Sequence, residues 1–201
     1  MTPNLRRTAL TLALAGLLAA CDSPDERAQS HFESAMELLE DGQTEKAEVE
    51  LRNAVQLDPD HARAHLRLGM IREEAGNLRA ALAHYRRARE SDQALLPAHL
   101  RYGRVMLRAN QLEEALAASN TAFQIAPDDI DVLVLKAATA YRLGNSETAE
   151  QTVADALAID PAHPDIWILR AGMAQADGDR ERALALLEEG LERNPGHVQL
   201  A

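Results

Sequence analysis

Cysteine is almost missing from this chain of 201 residues. The one present, Cys21, can form no disulfide within the molecule, and no cysteine pair is available to anchor a metal. Aromatic residues make up 3% of the chain, too few for a sandwich or barrel core built on bulky strands, whereas alanine and leucine favour closely packed helices. Positive charge is also in deficit, with 21 basic residues against 32 acidic ones and a net charge of −11. Broad nucleic-acid binding is therefore disfavoured, because neutralising phosphates needs a basic surface. No glycine-rich phosphate loop and no G-x-S-x-G elbow occurs, so an enzyme has no nucleophile to rest on. Apolar runs are few as well. The longest, TALTLALAGLLAA, has thirteen residues, short of the roughly 20 that a spanning helix needs.

That run is nevertheless informative. It follows the basic start MTPNLRR and ends in the small residues Ala19 and Ala20, the three-part layout of a secretory signal. Leu18-Ala19-Ala20-Cys21 resembles a bacterial lipobox. The resemblance implies that residues 1–20 are a lipoprotein signal peptide, cut before Cys21, and that Cys21 carries a thioether-linked diacylglycerol and an N-acyl lipid as its only covalent additions. A thiolate is nucleophilic enough to take the lipid, and several acyl chains together hold a protein on a bilayer. The alternative is a secreted protein in which Cys21 is incidental. Asp22 is similar to the residue that retains such lipoproteins in the inner membrane, so the periplasmic face of that membrane is favoured over the outer one. Losing Arg6 and Arg7 would bring the charge to −13. The segment 21–27 then acts as a tether whose reach is about 20 Å when extended.

Behind the tether, Ala47, Ala81, Ala115, Ala149 and Ala183 stand 34 residues apart. Gly42, Gly76, Asn110, Gly144 and Gly178 keep the same period, as do Ala54, Ala88, Ala122, Ala156 and Gly190. So do Pro59, Gln93, Pro127, Pro161 and Pro195. Each unit reads as two helices. In the second, ARAHLRLGMIREEAG closes at Gly76 and LRAALAHYRRARES follows at once. The alanines thin the helix crossing, and a proline stops the second helix in four of the five units.

With Leu68-Gly69, Tyr85, Trp167 and the recurring alanines and prolines, this pattern resembles the tetratricopeptide repeat. The departures are Gln93 for proline, Lys136 and Arg170 for leucine, and Arg72 for tyrosine. The implied fold is all-α, a right-handed superhelical solenoid of five tandem repeats at 28–61, 62–95, 96–129, 130–163 and 164–197. Residues 198–201 are expected to be the start of a sixth copy or a tail. Leu184, Leu187 and Leu191 are then expected to lie partly uncovered, to be closed by further repeats, by a partner or by a second copy in a homodimer.

The resemblance also implies an inner groove drawn from the second, fifth, ninth, twelfth and thirteenth residues of each unit. Its candidate partner-binding residues are Phe32, Met36, Leu66, Met70, Leu100, Arg104, Arg108, Val134, Tyr141 and Ile168. The lysine and asparagine with which some relatives clamp a terminal carboxylate are missing, so a helix or an extended apolar segment is the expected guest. The competing reading is that these side chains only fill gaps between helices.

Histidine offers no metal site by pattern. His31, His65 and His99 share one repeat position and His61, His163 and His197 another, so they read as structural, with His84 standing apart. Charge is uneven, with ten arginines, no lysine and four acids between Ala62 and Ala109. Arg104 and Arg108 are expected to face Glu73 and Glu74 and to pair within the molecule. The stretch AEVELRNAVQLDPDHARAHLRLG is similar to the repeat lipoproteins associated with PEP-CTERM and exosortase-type sorting and polysaccharide export; pilus and outer-membrane assembly factors share the same layout. The expected protein is a non-enzymatic, lipid-anchored adaptor with no metal or dissociable cofactor, binding protein partners of an envelope assembly. An acidic glycan or peptidoglycan module using the arginines of repeats 2 and 3 is the alternative.

Overall fold

The computed structural model describes residues 23–195. The expected signal segment 1–20, Cys21 with its expected lipid, His197 and residues 198–201 lie outside the described residues. Ten helices and no strand occur among those that are described. They run α1 Pro24–Glu40, α2 Thr44–Leu57, α3 Ala62–Glu74, α4 Leu78–Ser91, α5 Leu96–Arg108, α6 Leu112–Ile125, α7 Ile130–Arg142, α8 Ser146–Ile159, α9 Pro164–Ala176 and α10 Arg180–Arg193.

Helix α1 starts at Pro24 rather than at residue 28, which shortens the expected tether. Ser23 Oγ accepts the Glu26 N–H at 3.1 Å while the Glu26 carboxylate accepts the Ser23 N–H at 2.7 Å, a reciprocal cap with Pro24 at the first helical position. Those bonds hold the Glu26 carboxyl below its ordinary range. From Cys21 to the first helical residue the chain can span only about 10 Å.

The turn inside each unit is set by one left-handed residue. At Gly76, φ is +74°, the Gly76 N–H donates to Glu73 O at 2.9 Å and the Asn77 N–H to Arg72 O at 2.8 Å, so two end carbonyls of α3 are satisfied. Asn110 takes the same role in the third unit with φ +57°, a conformation asparagine tolerates. Second helices end on an aspartate as much as on a proline. Asp58, Asp92 and Asp160 each accept an N–H from two residues on at 2.9 Å, which is why α4 stops cleanly although Gln93 replaces proline.

Odd-numbered helices pack along the even-numbered helix that follows, and each even helix meets the next odd one. Helix α5 also touches α7, and α7 touches α9, so first helices line up as one wall of the solenoid. Ala47, Ala81, Ala115 and Ala149 are fully buried at the crossings. Gly69 is there for space, because a Cβ on it would lie 2.5 Å from two ring carbons of the buried Tyr85.

Two of the three histidines at the first shared position, His65 and His99, have a specific task, whereas His31 Nδ1 lies 2.5 Å from the Glu50 carboxylate. Trp167 Nε1 donates to Pro161 O at 3.0 Å, and the Nε2 atoms of His65 and His99 reach Pro59 O at 3.0 Å and Gln93 O at 3.1 Å. An imidazole N–H thus replaces the indole N–H in closing one unit onto the last turn of the previous one. The departures from the repeat pattern also find partners. Lys136 Nζ sits 3.3 Å from the Phe123 ring centroid, Arg170 stacks 4.6 Å from that of Trp167, and Arg72 pairs with Glu48.

Candidate partner-binding groove

The wall of first helices carries the candidate residues, and burial separates them into two sets. Phe32, Leu66 and Leu100 are only 7%, 7% and 8% exposed. Phe32 packs with Ala64 and Leu68, Leu66 with Tyr85 and Tyr102, and Leu100 with Val132 and Leu135. These three side chains therefore sit between units rather than on an open stripe. Met36, Met70, Val134, Tyr141 and Ile168 are half-buried and form the accessible apolar part of the wall.

Polar links run from one first helix to the next. Glu73 of α3 accepts the Tyr85 hydroxyl at 2.6 Å and pairs with Arg108 and, at 3.5 Å, with Arg101. Burial works against the charged form of Glu73, but the bonds from Tyr85 and Arg108 and the charges of Arg108 and Arg101 outweigh it and hold its carboxyl below the ordinary range. Burial and the Glu73 carboxylate raise the Tyr85 hydroxyl well above its usual range. Arg104 turns the other way and pairs with Asp131 of α7, while Glu74 stays exposed. The Tyr141 hydroxyl lies 2.5 Å from the Asp177 carboxylate and 3.0 Å from Met173 O, tying α7 to the end of α9.

Tyr85, Arg101 and Asp131 were not among the residues expected here. A twelve-residue spacing shared by the pairs Glu73–Tyr85 and Tyr102–Glu114 was the available signal, since the Tyr102 hydroxyl also donates to Glu114, at 3.0 Å. Among the described residues no group of three or more His, Cys, Asp or Glu side chains is placed to hold a metal ion. His61 caps α3 by accepting the Ala64 N–H at 3.2 Å. No helix of the described residues is long and apolar enough to cross a membrane.

A second concavity of about 270 Å³ lies between α8, α9 and α10, lined by Val153, Leu157, Arg170, Ala174 and Arg182. Ala174 in its lining stands where the repeat pattern has tyrosine. At the far end Leu184 is 52% exposed, and Leu187 and Leu191 are half-buried.

No curated protein matches the chain in sequence. Solved structures of like fold include PilF of Pseudomonas aeruginosa, 21% identical over 88% of this chain and 81% of that one, with a TM-score of 0.67. TTC0263, a protein of Thermus thermophilus, is 20% identical over 86% of this chain and 94% of its own, with a TM-score of 0.66. YrrB, described as having an unusual peptide-binding site, is 20% identical over 96% of this chain and 95% of its own, with a TM-score of 0.69. One sequence model of the tetratricopeptide repeat matches residues 38–93 and 113–173, and another matches 72–130; with more than half of its length matched, the chain belongs to the tetratricopeptide repeat family.

Proposed function

We propose that this chain is a lipid-anchored, non-enzymatic scaffold of the bacterial cell envelope that holds a helix or an extended segment of a partner protein against its first-helix wall. Tetratricopeptide arrays are in general protein-binding scaffolds without catalysis of their own. The observation that carries the reading here is the half-buried apolar row Met36, Met70, Val134 and Ile168, set among polar side chains on one continuous wall. Methionine adapts to differently shaped guests, which suits a binding surface. The lipobox-like residues before Cys21 support the anchor, and the short run from Cys21 to Pro24 would keep the first repeat beside the bilayer. Polysaccharide export, protein sorting and pilus or outer-membrane assembly are the settings that pair such an anchor with such repeats, and Asp22 favours the periplasmic face of the inner membrane.

The test is photo-crosslinking in cells from probes at Met70 and Val134, with the exposed Arg86 of α4 as control. Leu66 and Leu100 are too enclosed to serve as probes. Adducts at Met70 and Val134 and none at Arg86 support the reading; adducts only at Arg86 sink it. Labelling with a palmitate analogue, lost in Cys21→Ser, tests the anchor separately.

A further inference from the structure

Charge alternates along the array in three blocks. Residues 23–61 hold eleven acidic and three basic side chains, 62–109 hold four and ten, and 110–195 hold sixteen and six. The basic block is the middle of the first-helix wall. Four of its first-helix arginines are already answered, Arg72 by Glu48, Arg101 and Arg108 by Glu73 and Arg104 by Asp131. Three more wall arginines are not. Arg63 reaches only the Gln29 amide oxygen at 3.4 Å and the face of Phe32, Arg67 only the Met70 sulfur at 3.9 Å, and Arg142 only the Asn110 amide oxygen at 2.7 Å. None of these three has a carboxylate within ion-pair distance among the described residues.

From this surplus we infer that the segment the groove takes is acidic and amphipathic, with carboxylates meeting Arg63, Arg67 and Arg142 and apolar side chains on Met70 and Val134. The inference rests on the groove reading given above and names the chemistry of its guest. Guanidinium forks match carboxylates in shape as well as charge. The half-buried methionine and valine between the arginines favour a peptide over a glycan, which has no aliphatic side chains to place there. A guest of this kind would be steered to the basic middle units and would end at Arg142, a cation in the acidic block that follows.

The probe is a fluorescein-labelled peptide of about twelve residues in which glutamates alternate with pairs of leucines, titrated into the full chain beside a copy with glutamine for every glutamate. The acidic peptide is expected to bind about tenfold more tightly at low salt and to lose that advantage as salt rises. The triple variant Arg63→Glu, Arg67→Glu, Arg142→Glu should abolish the preference, and Arg63→Gln, Arg67→Gln, Arg142→Gln, which keeps amide donors toward Gln29 and Asn110, should abolish it with a smaller change in melting. Equal binding of the two peptides, or a preference that survives either triple variant, overturns the inference. So does displacement of the acidic peptide by a uronic-acid oligosaccharide at lower concentration than by the unlabelled peptide, or salt-sensitive self-association that accounts for the signal. Crosslinks at Met70 without peptide discrimination defeat this inference alone; silence in both experiments defeats the groove reading with it.

Discussion

The Nδ1 atoms of His65 and His84 lie 3.1 Å apart, so α3 and α4 are joined by one proton shared between two imidazoles. His65 donates its other N–H to Pro59 O, which leaves its Nδ1 as the acceptor and His84 as the donor. The bond needs His65 neutral, since its Nδ1 must accept, whereas His84 donates with or without a proton on its other nitrogen. Burial, then the charges of His65, Arg72 and Arg52 against that of Glu48, push His84 down to about 4, and burial also lowers His65.

A pH dependence follows from the sign of that shift. The unfolded chain binds a proton at His84 near 6.5 and the folded chain only near 4, so stability is fully present above 6.5 and declines as pH falls toward 4. A shift of this size corresponds to about 3 kcal/mol, reduced to roughly 1–2 kcal/mol because the ring is only partly withdrawn from water. Urea melts between those pH values should show the decline in the parent chain, and His84→Gln should make it shallower, the remainder belonging to His61, His65 and His99, which burial also lowers. Parallel curves for both would remove the pair as the cause.

Gly69 and Tyr85 make a packing prediction that needs no titration. Gly69→Ala puts a methyl 2.5 Å from the Tyr85 ring, which is fully buried and has nowhere to go. A loss of about 1–3 kcal/mol is expected. Adding Tyr85→Leu reproduces the combination of Ala35 and Leu51, both fully buried in the first unit. The double variant should therefore melt above the sum of the two single effects, and a double-mutant cycle with no positive coupling would contradict the contact.

His99 tests the carbonyl link between units. Its Nε2 bonds to Gln93 O at 3.1 Å, and its Nδ1 is buried without a partner because the residue facing it at the position of His84 is Ala118. His99→Leu removes the donor to the Gln93 carbonyl, at a cost of about 1 kcal/mol. His99→Trp keeps a ring N–H for that carbonyl and removes the orphaned nitrogen, so it should retain more stability than the leucine variant in the same melts. The reverse order would mean that ring size, not the bond, governs the site.

The period of 34 residues was plain in the chain because each repeated residue answers a local need: Gly76 a positive φ, Ala81 a thin crossing, Asp58 and Pro59 a helix stop. Exposure was not plain. Leu66 and Val134 share a repeat position, yet Leu66 is enclosed in a cluster with Tyr102 and Val105 of the next unit whereas Val134 stays half open at the margin of its own cluster. Pairing was legible for Arg108 and not for Arg104, whose partner Asp131 sits in the unit after its own rather than the one before. Such choices depend on the spacing of neighbouring first helices, which no single unit encodes.

Glu73 offers the most discriminating variant on the wall. Its side chain is 16% exposed and serves Tyr85, Arg101 and Arg108 at once, so it links the packing of the second unit to the arginines of the third. Glu73→Gln keeps the shape and one acceptor for Tyr85 but removes the charge that answers two arginines. A loss of about 1–2 kcal/mol is expected at neutral pH, since charge-assisted bonds exceed neutral ones and the arginine ends are solvated. Because the folded carboxyl lies below its ordinary value of 4.5, its contribution is complete above that value and is lost as pH falls through the lower folded one. The parent and Glu73→Gln should therefore differ at pH 7 and converge in strong acid, whereas a purely steric role would keep them apart at every pH. With two arginines released, the variant should also bind the acidic peptide more tightly than the parent; weaker binding would mean that Glu73 holds those arginines in the geometry the peptide needs.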